Sequence, residues 1–272
     1  MKNLKIITVP IIACLLFLTS CENDSQENIT ENDKINNNEL KEFTEFDFSK
    51  VDNITKDEIL DIEQLLIEES KNVSLAKELK NYEGEENVDH SIINDYLKYQ
   101  GRKTINTEEY FIKSENVIKN TDSKVDEFVD VLKEFNVYTD AQLRLFKELD
   151  ALMITVDNFD QAVETLHNFE RKINSDRELN NFEKNSMLLY TSTMRSLMYT
   201  DYNIQKGLWD CVNCVWKNKW RILGWGVFRS LPKVVGCIFS NLSNGGAMFW
   251  CILRALGSGV AYTFKHYCGS VC

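Results

Sequence analysis

The residues best equipped for chemistry in this chain are its thiols. Six of the eight cysteines, Cys211, Cys214, Cys237, Cys251, Cys268 and Cys272, fall in the last 62 of 272 residues. Cys211 and Cys214 form a Cys-x-x-Cys pair, a spacing shared by zinc sites and thioredoxin-like redox pairs. Zinc needs two further ligands at comparable spacing. The next cysteine is 23 residues on and His266 is the one histidine nearby. A redox pair needs a βαβ setting, and none is visible in the pattern. In an oxidising compartment the six thiols read as up to three disulfides, with their pairing open.

The first residues supply that compartment. Met1 to Lys5 is basic, Ile6 to Leu18 is apolar but for Pro10 and Thr8, and Leu18-Thr19-Ser20-Cys21 follows. The apolar run is short of the roughly 20 residues of a membrane span and has the layout of an export signal. Leu-Thr-Ser-Cys resembles the lipobox of bacterial lipoproteins. That resemblance implies cleavage before Cys21, lipidation of Cys21 and loss of Cys14 with residues 1–20. Glu22, Asp24 and Glu27 resemble the surface-export signals of Bacteroidota lipoproteins, which implies an outer-membrane or cell-surface location. Residues 21–43 are polar and acidic, the composition of a disordered tether.

Charge divides what remains. Residues 207–272 hold seven Lys or Arg against Asp210 alone, a formal +6. With Lys2 and Lys5 in the leader, residues 21–206 carry −19 of the total −11. All five tryptophans and nine of eleven glycines lie in the basic tail. Trp209, Trp216, Lys217, Lys219, Trp220, Arg221, Trp225, Arg229 and Trp250 combine indoles with cations, which suits the headgroup zone of a membrane. They are the expected lipid-binding residues, with Val234 to Phe264 as the apolar stretch for insertion. The partners expected are membrane lipid and the chain's own acidic region, because −19 and +6 attract. Nucleic acid is not expected, since an exported tail with few base-reading side chains offers only charge.

The acidic region shows no His-Glu-x-x-His, no glycine-rich phosphate loop and no Gly-x-Ser-x-Gly elbow. Its carboxylate pairs at i,i+4, Asp57/Asp61 and Asp126/Asp130, are spaced to hold a cation, but solvated helix faces give the same spacing. His90 and His167 are far apart in sequence. No enzymatic role, catalytic residue, metal site or cofactor is expected.

The elements that would position these residues are helices. Between Thr44 and Thr200 there is no proline, and Gly84 and Gly101 are the only glycines. Thr55-Lys-Asp-Glu58 is a capping box ahead of Ile59, Ile62, Leu65 and Leu66 at helical spacing. Further helices are predicted over Asp89 to Tyr99, Thr107 to Lys119, Asp122 to Phe135, Asp157 to Ile173 and Ser175 to Tyr199. Thr139-Asp-Ala-Gln142 opens another, and Ser175-Asp-Arg-Glu178 is read as the box that opens the last. In the tail, Ser243-Asn-Gly-Gly246 is a turn signal between helices of about Ile222 to Phe239 and Ala247 to Tyr262. The predicted fold is all-α: a helical bundle or array over 44–200, then a small disulfide-rich helical region over 207–272.

A Gly-rich, cysteine-paired apolar peptide at the end of a longer exported precursor resembles the halocin C8-type bacteriocin precursors, over Cys211 to Cys272. This tail has fewer cysteines than that family's peptide, more tryptophan and basic charge, and a lipoprotein-type signal. The resemblance implies an antimicrobial peptide released by a cut between about Thr200 and Trp209, with residues 44–200 protecting the producer as a pro or immunity region. The alternative reading is a surface lipoprotein whose tail is a permanent membrane-anchoring or partner-binding module.

Overall fold

Side-chain caps set where several of the helices begin. Thr55 accepts from the Glu58 amide at 3.2 Å while the Glu58 carboxylate accepts from the Thr55 amide at 2.7 Å, satisfying two donors that the first turn leaves orphaned. Thr139 and Gln142 repeat the arrangement. Single caps from Asn106 and Asn158 open two more helices.

The computed structural model describes residues 46–71, 73, 90–120, 122–202 and 223–268. Among these are eleven helices and no strand, so the fold is all-α. They are α1 (Ser49–Asn53), α2 (Lys56–Ser70), α3 (Ser91–Tyr99), α4 (Thr107–Lys119), α5 (Val125–Glu134), α6 (Asp140–Ile154), α7 (Phe159–Ser175), α8 (Asn181–Tyr202), α9 (Trp225–Arg229), α10 (Leu231–Ser240) and α11 (Gly245–Cys268).

One expected box is corrected. Ser175 does not open α8; its hydroxyl donates to the Lys172 carbonyl and closes α7. The reciprocal pair is Asn180 and Glu183, at 2.8 and 3.0 Å, because an asparagine oxygen accepts from the third helical amide as a hydroxyl does. Between the two helices Asp176 is extended, and its carboxylate accepts from Arg144 at 2.7 Å.

The helix α8 is the axis of the fold, with α1, α2, α7, α9 and α10 packed around it. From Ser186 to Met198 every residue is buried, although Ser186, Thr191, Ser192, Thr193, Arg195 and Ser196 are polar. Two hydroxyls are satisfied within the helix: Thr191 donates to the Leu188 carbonyl at 2.9 Å and Ser196 to the Ser192 carbonyl at 3.0 Å.

The described parts of the acidic region over 44–200 and of the basic region over 207–272 pack together. The described residues between 46 and 268 belong to one compact unit. Trp225, Val227, Phe228, Leu231, Val234, Val235, Ile238, Met248, Phe249, Ile252 and Leu256 are buried. They share a core with the earlier helices: α9 packs on α4 and α8, α10 on α3 and α8, and α11 on α2 and α4. The physical reason is area. A 46-residue segment buries little apolar surface by itself, whereas inside the bundle all faces of α9 and most of α10 are covered.

The turn expected at Ser243 to Gly246 is present: α10 ends at Ser240, and Asn244 caps α11 by accepting from the Ala247 amide at 3.0 Å. Pro232 divides the predicted single helix over Ile222 to Phe239 into α9 and α10. It sits in the first turn of α10, where the missing N–H breaks no hydrogen bond within α10 itself.

Candidate functional site: the seat of the C-terminal helices

Leaving a helix at Pro232 creates a local deficit that other residues make good. In a continuous helix the Phe228 carbonyl would accept from the amide of residue 232, and proline has none. The hydroxyl of Tyr138, in the loop between α5 and α6, donates to that carbonyl instead. The Lys233 amide turns to the Ser230 carbonyl, and Tyr110 of α4 donates to the Arg229 carbonyl at 2.9 Å. At the other end of α9, Tyr190 of α8 donates to the Gly224 carbonyl at 3.1 Å. Three tyrosines from three parts of the chain therefore grip one five-residue helix by its backbone.

Side chains reinforce the grip. The Trp225 indole donates to the Asp150 carboxylate of α6 at 2.7 Å and stacks on Phe128 of α5 with centroids 4.9 Å apart. Phe228 is sandwiched between Phe146 at 4.2 Å and Tyr138 at 4.4 Å, with the edge of Tyr190 at 5.3 Å. Burial pushes the hydroxyls of Tyr138 and Tyr190 well above the usual phenol range and raises that of Tyr110 as well. All three stay protonated, so they remain donors throughout the physiological range.

Two cations lie inside the protein beside this helix. Arg229 is 0% exposed and Lys233 2%. The Arg229 guanidinium donates to the Leu256 carbonyl of α11 at 2.7 Å, stands 4.9 Å from the Phe111 centroid, and has Glu115 at 3.9 Å. Lys233 places its ammonium 4.5 Å from the same ring, on which the His90 imidazole is stacked. Cation–π attraction is strongest in such desolvated settings, about 2 kcal/mol or more per contact.

A second buried charge group joins α2, α7 and α8. Arg195 is 1% exposed and donates to both oxygens of Glu63, at 2.7 Å from Nε, and to Glu170. Burial works against its charge, but the hydrogen bonds and charges of Glu63 and Glu170 outweigh that and hold its pKa raised. Ser192 donates to Glu63 at 3.2 Å, and the single Thr191 hydroxyl proton is shared between the Leu188 carbonyl and Glu170, the latter at 2.8 Å. His167, half exposed, sits 3.5 Å from Glu170.

Of the residues expected to stand at a membrane surface, Trp225 and Arg229 are buried in the core. Trp250 is half-buried. Trp209, Trp216, Lys217, Lys219, Trp220 and Arg221 lie outside the described residues. Among the cysteines, Cys237 and Cys251 are disulfide-bonded, joining α10 to α11. Cys21, Cys211, Cys214 and Cys272 lie outside the described residues, as does the side chain of Cys268. Of the carboxylate pairs, Asp57 and Asp61 are exposed, and Asp126 is paired with Lys147. Among the described residues no group of three or more His, Cys, Asp or Glu is placed to hold a metal, and no helix is long and apolar enough to cross a membrane.

The tyrosine clamp and the Arg195 cluster were missed by sequence reasoning. Pro232 was the available signal for the first, since a proline between two apolar helical turns announces a carbonyl in need of a donor. The arrangement can hold a basic, aromatic helical segment by backbone and side chain together. No family model, curated protein or solved structure matches this chain.

Proposed function

We propose that the chain is an exported lipoprotein precursor whose acidic helices hold a cationic, membrane-active C-terminal region out of contact with lipid, as a pro or immunity region would. The observation that supports this reading is the burial of Trp225, Phe228, Arg229 and Lys233 against α4, α5, α6 and α8. Apolar area and cations that would engage a bilayer are here engaged by Phe111, Phe128, Phe146 and Tyr138. Disulfide Cys237–Cys251 keeps α10 and α11 joined, so the two would leave the bundle as one hairpin.

Intact-mass measurement of cell-associated and secreted forms, with and without reductant, tests this. Acylation at Cys21, a cut between about Thr200 and Trp209, and permeabilisation of liposomes by the oxidised 207–272 peptide are the expected results. Full-length chain alone in the medium, with liposomes left intact by that peptide, sinks the proposal. The rival, a surface lipoprotein whose tail is a permanent module, draws support from the same shared core, because release would dismantle the seat of α9. Protease shaving of intact cells decides between them: a freed, intact tail supports the first reading and a retained one the second.

A further inference from the structure

Three helices each send one buried polar group to a spot beside Tyr138. Tyr96 of α3, Gln142 of α6 and Ser186 of α8 are all 0% exposed. Their Oη, Nε2 and Oγ atoms have no hydrogen-bond partner among the described residues. Burying such a group unpaired forfeits the hydrogen bonds it makes to water in the unfolded chain, so native interiors pair nearly all of them.

Packing brings the three together. The Tyr96 ring lies 5.2 Å from Phe182 and 6.4 Å from Tyr138. Ser186 stands one turn beyond Phe182 on the same face of α8, and Gln142 follows Tyr138 in the first turn of α6. The Gln142 amide and the Ser186 hydroxyl both act on the Tyr96 hydroxyl, against the burial that raises its pKa. Gln142 is held in one orientation: its Oε1 accepts from the Thr139 amide at 3.1 Å and from the Thr139 hydroxyl at 3.3 Å. A backbone amide can only donate, so Oε1 must face Thr139, which leaves Nε2 for the interior.

This group is rich in hydrogens and short of acceptors. Gln142 brings two amide hydrogens and each hydroxyl one more, and the oxygens open to them are those of Tyr96 and Ser186. Two hydroxyls cannot donate to each other at once, so direct contact alone strands at least one hydrogen. A molecule that accepts as well as donates closes the set.

We propose that Tyr96, Gln142 and Ser186 bind one buried water molecule, which accepts from Gln142 Nε2 and donates to a hydroxyl oxygen. About three polar partners is the usual complement of a buried water. The bound water ties α3 to α6 and α8. Because α10 packs on α3, and Tyr138 donates to the Phe228 carbonyl, the water steadies two supports of the C-terminal helices.

A crystal structure of the unaltered protein, at a resolution that shows ordered solvent, tests this. Density for a water within about 2.5–3.2 Å of Tyr96 Oη, Gln142 Nε2 and Ser186 Oγ is expected. Direct hydrogen bonds among the three, with no density between them, overturn it. Magnetic relaxation dispersion of water oxygen gives a second reading in solution, since it counts long-lived internal waters. The count should fall by one when Tyr96→Phe and Ser186→Ala are combined, and an unchanged count in the folded variant overturns the site. Where that variant does not fold, the crystal of the unaltered protein decides alone.

Discussion

Replacing Phe228 by alanine is the sharpest test of whether the C-terminal segment belongs to the core. Phe228 is 0% exposed and touches rings from α6, α8 and the loop before α6, at 4.2, 5.3 and 4.4 Å. Truncating a buried phenylalanine costs about 3–5 kcal/mol in lost transfer energy and cavity formation. The stacked geometry with Phe146 and Tyr138 places this site at the upper end, since aromatic pairs add about 0.5–1.5 kcal/mol beyond their area. In a unit of this size about 1 kcal/mol moves the melting temperature by roughly 2–4 °C, so Phe228→Ala should lower it by about 6–20 °C. The assay is thermal unfolding by far-UV circular dichroism, with hydrogen exchange of α5 and α6 as a local reporter. If the melt shifts by less than about 2 °C and exchange in α5 and α6 is unaltered, the reasoning fails. The segment would then be an independent unit resting on the bundle.

Four further outcomes are expected. Trp225→Phe keeps the stack on Phe128 but removes the donor to the buried Asp150, and should cost about 1.5–3 kcal/mol in chemical denaturation. Reducing Cys237–Cys251, which spans 14 residues, should cost about 3 kcal/mol, read from melts with and without reductant and checked by intact mass. Asn180→Ala removes the cap of α8 and should destabilise by about 1 kcal/mol in the same measurement. The fourth is a pH effect. The hydrogen bond from Arg144 is the chief cause holding the Asp176 carboxyl below its usual pKa. A folded pKa below the unfolded one gives stability that is present above the ordinary carboxylate range and lost as pH falls through the folded value. Arg144→Gln should therefore weaken the protein at neutral pH, by about 1 kcal/mol or less for so exposed an arginine, and the difference should close in strong acid. Urea midpoints across that range check the sign.

Helices were legible because their signals are local. Capping boxes at Thr55 and Thr139 require residues three apart, and both are present as read. The box placed at Ser175 failed because Ser175 is the last residue of α7, and the cap of α8 comes from Asn180 five residues on. The turn before α11 was legible from Ser243-Asn-Gly-Gly246, and the Cys237–Cys251 bond only as one pairing among several.

The site was not legible, since its contacts join residues far apart in sequence. Tyr110 and Arg229 are 119 residues apart, Glu63 and Arg195 132. Nothing in the pattern around Trp225 and Arg229 distinguishes a membrane-facing indole and cation from buried ones. Composition alone gave this chain its helical class, its acid–base asymmetry and the concentration of thiols at one end, because each depends on residue types and short spacings. Tertiary structure decided that Trp225, Arg229 and Lys233 of the basic end are buried against the earlier helices. Burial of Arg229 and Lys233 is tolerated only where Phe111, Glu115 and the Leu256 carbonyl converge, and convergence from two helices distant in sequence is a property of the folded chain.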